Sequence, residues 1–226
     1  MSAAPSWSLH IVGTFAVGII LLSFAEHTIH RHLMHRRRLP AWMYRASKDL
    51  DTNFRNHAVL HHGTYYKVFD HEPSPEGKFF NLRILTPDIA RLILLFSPLC
   101  AALWAWLSPA SALTLAAMVV AHCLVWNAAH VQMHAPERDA WFRRTAWFRM
   151  LGRHHFMHHK RSNRHYNVVL PLADYLLGTA VAARRGDVRE MLRLGYLRPR
   201  TGVGRRFVGS APRPCAFVAN ARHIPA

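Results

Sequence analysis

Cysteine is scarce in this chain, with three among 226 residues. Cys100 and Cys123 lie in apolar stretches, and Cys215 stands alone near the carboxyl-terminal end. These positions supply neither the paired spacing of a disulfide framework nor that of a cysteine zinc site. The sequence therefore indicates neither a disulfide-stapled module nor a zinc finger.

Acidic residues are also few, and positive charge is unevenly distributed. The chain has 12 Asp and Glu against 29 Lys and Arg, which gives a formal net charge of +17. Such a balance is typical of nucleic-acid-binding proteins, yet no zinc-finger, helix-turn-helix or aromatic-platform motif accompanies it. We therefore predict no nucleic-acid partner. Lys and Arg are absent from residues 1–30 and 92–137.

The segments without positive charge contain long apolar stretches. These run from Leu9 to Ala25, from Leu92 to Pro109 and from Ala112 to Ala129. Each is near the lower length limit for a helix that crosses about 30 Å of hydrocarbon. We therefore predict an integral membrane protein that is an all-α helical bundle with a cytoplasmic helical cap.

The charge distribution also predicts an orientation. Under the positive-inside rule, the amino terminus and the turn SPAS (108–111) lie outside, whereas the histidine-rich segments and the carboxyl terminus lie in the cytoplasm. The net positive charge suits a surface that faces anionic cytoplasmic lipid. A bacterial inner membrane is favoured, with the endoplasmic reticulum membrane as the location in a eukaryote.

One domain is predicted over residues 1–197, followed by a basic, disordered tail over residues 198–226 that has little to bury. The Pro-rich segment HEPSPEGK (71–78) is predicted to be a loop. Residues 141–159 are predicted to form an amphipathic interfacial helix whose Trp and Phe side chains lie in lipid.

Histidine is abundant, with 18 residues, and most of them fall into four separate clusters. A histidine-rich binding tract is usually continuous and of low complexity, whereas these clusters are separated by segments rich in Leu, Phe, Trp and Arg. Imidazoles three or four residues apart on a helix point the same way and can hold a metal ion together. Isolated histidines such as His10, His71, His122 and His223 are interpreted as ordinary surface or core residues.

The spacing within each cluster predicts how it binds metal. His130 and His134 share one helical face, and so do the three histidines at 155, 158 and 159. In the second cluster His57 and His61 share a face, and His62 is one step round, as suits a ligand that reaches a neighbouring ion.

The first cluster has a less regular spacing. His30 and His35 are five residues apart, about 140° around an ideal helix. For both of these imidazoles to bind metal, the pair needs a helix end, a bend or two different ions. His27 and His32 are alternates in this cluster, and His154 is an alternate in the fourth.

The number of ligands predicts two metal ions. Ten imidazoles are too many for one ion, and two tetrahedral zinc sites would use only eight. All-nitrogen donors with open positions favour iron that handles oxygen, although zinc can occupy such a site as a substitute. The predicted ligands are His30, His35, His57, His61, His62, His130, His134, His155, His158 and His159.

The order of these motifs resembles the integral-membrane fatty acid hydroxylase and sterol desaturase superfamily from about residue 24 to 180. The resemblance is carried by HRHLMH (30–35), NHAVLHH (56–62), AHVQMH (129–134), HHFMHH (154–159) and PLADYLLGT (171–179). The chain departs from the family in two places. His165 and Tyr166 stand where the family commonly has an Asn-aromatic pair, and the second motif has one more spacer residue than in many fatty acid hydroxylases.

The resemblance implies a non-haem di-iron enzyme that uses O2 to hydroxylate an unactivated C–H bond of a fatty-acyl or sphingolipid-like chain. The sequence contains no haem, flavin or nicotinamide motif, so electrons would come from an external donor of ferredoxin or cytochrome type with its reductase. Desaturation or hydroxylation of a sterol or carotenoid is an alternative. An alternative from another class of function is a membrane metal-binding or transport protein.

Four further residues are candidates for orienting the ligands or acting beside them. Asn127 shares a helical stripe with His130 and His134, where it would hold a water or orient a ligand, or serve as a helix-packing amide. Glu26 and Asp174 are candidate carboxylates that fix imidazole tautomers. His165 would fold back over the metals, or else cap a helix or lie on the surface.

Overall fold

Helices account for all of the regular secondary structure in the residues that the structure describes. The computed structural model describes residues 7–67, 69, 80–134, 140–203 and 205–206. This part of the chain contains no strand, so the predicted all-α class is confirmed. The predicted loop at 71–78 and most of the predicted tail, including Cys215 and His223, lie outside the described residues.

Eight α-helices, two π-helices and a 3₁₀ turn follow one another along the described chain. The α-helices are α1 (Trp7–Ile29), α2 (Ala41–Ala46), α3 (Lys48–Phe54), α4 (Thr86–Trp106), α5 (Pro109–His134), α6 (Ala146–Lys160), α7 (Leu172–Leu176) and α8 (Arg185–Arg193). Two π-helices, which have i to i+5 hydrogen bonds, occupy His30–Met34 and Arg55–Tyr65, and a 3₁₀ turn occupies Trp141–Arg144.

Three of these segments are long and apolar enough to cross a membrane. They are Trp7–Met34, Thr86–Trp106 and Pro109–His134, with 28, 21 and 26 residues. Large apolar side chains on them are exposed, for example Leu94 at 71% and Trp106 at 86%. So much exposed apolar surface is rare on proteins in water. The architecture is therefore compatible with the predicted membrane protein.

The turn between α4 and α5 is shorter than predicted. Only Leu107 and Ser108 lie between the helices, and Pro109, Ala110 and Ser111 already belong to α5. The Ser111 backbone N–H donates to Ser108 Oγ at 3.1 Å, as a helix cap does. The prediction that 108–111 forms a turn is wrong in its extent, because proline suits the first turn of a helix.

The three long helices share a small apolar core in which α5 packs against both α1 and α4. Its buried members are Leu22 of α1, Phe96 of α4, and Leu115 and Val119 of α5. Burial of these side chains holds the ends of α1 and α5 side by side. Histidines at both ends, on His30–Met34 and at the end of α5, therefore lie on the same side of the bundle.

A second core lies around α6, and it corrects the predicted interfacial helix. The helical segment is interrupted at Thr145, whose Oγ1 accepts from the Phe148 N–H at 3.1 Å and so begins α6. Phe148 and Phe156 are buried in this core, not exposed to lipid, because α5, α8, Phe69 and Tyr196 pack around α6. Trp141 and Trp147 are exposed, at 80% and 40%, as predicted for this segment.

Candidate metal centre

The ten predicted ligands form two groups of five. In each group one ring nitrogen per residue lies within 4.8 Å of all the others, so each group could hold a metal ion. None of the alternates His27, His32 and His154 belongs to either group. Group one contains His30, His35, His57, His62 and His158, and group two contains His61, His130, His134, His155 and His159.

The two π-helices explain the five-residue spacings. The His35 N–H donates to the His30 carbonyl at 3.0 Å, which closes an i to i+5 turn. The two imidazoles thereby lie in the same group, with neither a bend nor separate ions. His57 and His62 are also five residues apart and share group one. π-Turns are uncommon and are frequent at functional sites.

The distribution between groups differs from the helical-face prediction in two clusters. His61, not His62, is the member of the second cluster that turns towards the other group. On α6, His155 and His159 enter group two while His158 enters group one. Adjacent residues on an α-helix are about 100° apart, so α6 supplies both groups from between them.

Backbone carbonyls hold many of the imidazoles through Nδ1. The Nδ1–H of His158 donates to the Arg164 carbonyl at 2.7 Å, and that of His134 donates to the Phe69 carbonyl at 2.8 Å. Metal-bound histidines usually donate the other ring N–H in this way, which fixes the tautomer and the ring. Similar contacts join His159 to Tyr66, His130 to Leu82, His61 to Phe80 and His30 to Tyr166.

With Nδ1 protonated, the Nε2 lone pairs point inward and approach one another closely. The Nε2 atoms of His158 and His35 are 2.9 Å apart, and those of His134 and His155 are also 2.9 Å apart. Two nitrogens bound to one ion at about 2.1 Å and at right angles would be about 3.0 Å apart. Nε2 of His61, His130 and His159 is buried and makes no hydrogen bond to a described residue. The donor sets therefore fit metal ions.

Burial and mutual proximity keep these imidazoles neutral. For the ligands outside the membrane-length helices, burial and then neighbouring imidazoles hold the pKa well below the usual value of 6.5. A neutral imidazole has the free lone pair that a metal ion requires. The set is His35, His57, His61, His62, His155, His158 and His159.

Asn127 forms hydrogen bonds to the loop that precedes α4, beside the two histidine groups. Its Oδ1 accepts from the Ile84 N–H at 2.6 Å, and its Nδ2 donates to the Ile84 carbonyl at 3.0 Å. The same loop supplies the carbonyls that hold His61 and His130. The contacts of Asn127 are thus those of a packing amide that positions this loop, and the metal-facing role remains a prediction.

Glu26 contacts the segment after α6, away from the two groups. Its Oε1 accepts from the Val168 N–H at 2.7 Å, and its Oε2 accepts from Asn167 Nδ2 at 3.2 Å. The segment that it holds includes Tyr166, whose carbonyl accepts from His30. Glu26 therefore helps to orient His30 indirectly, because it holds the backbone segment whose carbonyl accepts from His30. Glu26 forms no hydrogen bond to an imidazole of group one or two.

Asp174 is fully buried and contacts His154, an alternate that lies outside both groups. Its Oδ2 accepts from His154 Nε2 at 2.8 Å, and its Oδ1 accepts from the Tyr166 N–H at 2.9 Å. Burial alone would raise the pKa of Asp174, but hydrogen bonds from His154, Thr179 and Asn167 outweigh it and lower that pKa. Asp174 thus anchors the segment that carries Tyr166.

His165 lies behind α6 and does not fold over either group. Its Nδ1 lies 3.1 Å from His154 Nδ1, and its Nε2 accepts from the Val181 N–H at 2.9 Å. Burial and the neighbouring His154 lower the pKa of His165 to about 4. The candidate role as an extra metal donor therefore has no support in its contacts. The backbone of His165 has φ of 55°, in the left-handed region that Asn tolerates well.

Two substitutions of His165 should differ in their effect on stability. His165→Asn should keep near-normal stability and metal content, because Asn tolerates positive φ and retains polar atoms. His165→Leu should lower the free energy of unfolding by about 2–4 kcal/mol through strain and through polar groups left without partners at His154 and Val181. Thermal unfolding in detergent measures both variants. Equal stability of the Leu variant and the wild type would contradict this role.

Sequence reasoning missed the residues that orient the imidazoles. Backbone carbonyls, such as those of Phe69, Arg164 and Tyr166, leave no trace in residue identity. Tyr166 itself is fully buried, and its hydroxyl makes no hydrogen bond to a described residue. The sequence predicts that His122 is an ordinary isolated histidine, yet its Nε2 lies 3.4 Å from Glu26 Oε2 between α5 and α1. A titratable side chain at the middle of an apolar stretch was the available signal.

No family model, no curated protein and no solved structure matches the chain. What the centre can do therefore has to be inferred from its own geometry and chemistry.

Proposed function

We propose that the chain is a membrane-bound oxygenase of the fatty acid hydroxylase and sterol desaturase type, which hydroxylates an unactivated C–H bond of a lipid. The observation that carries the proposal is the pair of five-histidine groups at one end of three membrane-length helices. Buried, all-nitrogen donor sets of this size suit two ions with five or six ligands each, and such sets favour iron that handles oxygen.

Iron is the proposed metal of both groups, with zinc as a substitute that imidazole also binds readily. Bound iron would supply the O2-dependent oxidation, with electrons from an external donor of ferredoxin or cytochrome type and its reductase. The contribution of this chain is to orient six of the ten rings through backbone carbonyls and to exclude water. His57, His61, His130, His155 and His158 are completely buried.

A fatty-acyl or sphingolipid-like chain is the proposed substrate. Apolar side chains are exposed along α1 and α4, so a lipid can approach the centre within the membrane. A sterol or carotenoid oxidised by the same centre is the alternative. Membrane metal transport is less well supported, because transporters bind their ions near the bilayer midplane on interrupted helices, whereas His30 and His134 lie at helix ends.

Oxygen-18 labelling tests this function. Cells that express the wild-type chain under oxygen-18 gas should accumulate a lipid with one labelled hydroxyl group, and cells with His57→Ala and His158→Ala together should not. Desaturation would appear as loss of two hydrogens with no label in the lipid. The absence of any oxidised lipid, or a hydroxyl that derives from water, would overturn the proposal.

We further propose that both histidine groups face the cytoplasm. The Leu107–Ser108 turn would then lie outside, since no Lys or Arg lies within 92–137, and positive charge is retained in the cytoplasm. A reporter inserted at Ser108 should be accessible from outside, and one after Lys160 should be accessible from the cytoplasm only. Protease protection in sealed vesicles measures both. Cytoplasmic access at Ser108 would contradict the orientation.

A further inference from the structure

A cleft between α1, α4 and α5 leads from the middle of the bundle to His30. Its volume is about 90 Å³, and its wall is largely apolar. The apolar lining includes Leu22, Ile29, Leu92, Phe96, Val119 and Trp126. A short stretch of a hydrocarbon chain, with its end beside group one, suits a cleft of this size and chemistry.

The wall of the cleft also carries one carboxylate, that of Glu26, and one imidazole besides His30, that of His122. His122 Nε2 lies 3.4 Å from Glu26 Oε2. The Nε2 atom is buried, and Glu26 is its partner at a distance that is long for a charge-assisted hydrogen bond. Polar groups at this depth in a helical bundle usually mark function. An imidazole and a carboxylate that face the same apolar cleft can both contact the polar group of a ligand.

We propose that this cleft binds a lipid chain that bears a hydroxyl group, and that His122 and Glu26 recognise the hydroxyl together. This inference rests on the proposed function and narrows its substrate to lipids that already bear a hydroxyl group. A hydroxyl both donates and accepts, so it can donate to Glu26 Oε2 while accepting from His122 Nε2–H. A carbonyl only accepts, an ammonium only donates, and an alkane does neither.

The position of the pair sets where the hydroxyl lies. His122 is eight residues before His130 on α5, and Glu26 is four residues before His30, so the pair lies about 6–12 Å along the bundle from the two groups. The carbon that is oxidised and the carbon that bears the recognised hydroxyl are therefore different carbons of one chain. Glu26 is already held by Asn167 and Val168, which leaves His122 as the side chain to vary.

Photo-crosslinking in membranes tests the cleft without requiring turnover. The probes are hexadecan-1-ol and hexadecane that carry the same mid-chain diazirine, and labelled peptides are mapped by mass spectrometry. The alcohol should label α1 and α5 at the cleft, and excess hexadecan-1-ol should compete about tenfold better than hexadecane, as expected for two added hydrogen bonds. Equal labelling by both probes, or no labelling of the cleft, would overturn the proposal.

Variants of His122 separate recognition from packing. His122→Leu should abolish the preference for the alcohol, His122→Gln should retain part of it through its amide N–H, and His10→Leu on α1 should leave it unchanged. A preference that survives His122→Leu would also overturn the proposal. The metal-free protein and the His57→Ala, His158→Ala variant should still label, so failure of oxygen-18 incorporation with intact labelling would count against the oxygenase alone.

Discussion

Protein that is purified and loaded with ferrous iron under anaerobic conditions should contain two metal ions per chain, and disrupting either histidine group should remove one of them. His57→Ala with His158→Ala should leave the ion of group two, and His130→Ala with His155→Ala should leave that of group one. Each double variant should lose turnover by more than about 100-fold, because even residues that only support a ligand usually contribute 10- to 100-fold. Elemental analysis and lipid oxidation measure the two effects.

The matched control for this experiment is His32→Ala. His32 lies in the same motif as His30 and His35 but in neither group, so both ions and most of the turnover should remain. One ion in the wild type after full loading would contradict the paired arrangement. Loss of both ions in either double variant would mean that the groups do not bind independently.

Gly152→Ala should strongly destabilise the protein, because a methyl group at this position has no room. A Cβ on Gly152 would lie 2.2 Å from a ring carbon of Tyr196. That ring is buried in the core around α6, and its hydroxyl donates to the Met133 carbonyl at 3.3 Å. Overpacking of this kind costs about 1–3 kcal/mol or more, so the melting temperature in detergent should fall by roughly 4–10 °C.

Two comparisons make the Gly152 experiment specific. Gly13→Ala on α1 adds a methyl group with nothing within 4 Å, and it should be neutral or slightly stabilising. Tyr196→Leu introduced with Gly152→Ala should recover part of the lost stability, because it removes the ring that the new methyl group meets. A Gly152→Ala protein as stable as the wild type would show that α6 and Tyr196 do not pack this closely.

Helix type and membrane-length segments could be predicted from composition, since apolar runs free of charge have few alternatives. The two five-histidine groups involve the same ten residues that the motifs predicted as ligands. Their grouping could not be predicted, because ideal α-helical angles separate His30 from His35 and place His158 with His155. The π-helix at His30–Met34 brings His30 and His35 into one group, and the position of α6 between the groups separates His158 from His155. The helix type and the position of α6 are features of the backbone that the motifs do not reveal.

The surroundings of buried side chains were also difficult to predict from the sequence. Phe148 and Phe156 on an amphipathic segment suit either lipid or a protein core. The rings that pack on them decide between the two: Phe142 and Tyr196 for Phe148, and Phe69 for Phe156. His165 is polar and follows a metal-binding motif, but the loop turns it towards Val181. Hydrophobicity therefore predicted that Phe148 and Phe156 would be hidden from water, without predicting what hides them, and it predicted nothing about His165.

The π-helix at Arg55–Tyr65 changes how the five-residue spacing between His57 and His62 is interpreted. In an α-helix, residues five apart are separated by about 140°, which would turn His62 away from His57. The wider turn of a π-helix brings residues five apart into alignment, so both imidazoles lie in group one. Motif length in such proteins is therefore a poor measure of distance between ligands. Two chains with different spacings can present the same arrangement of imidazoles.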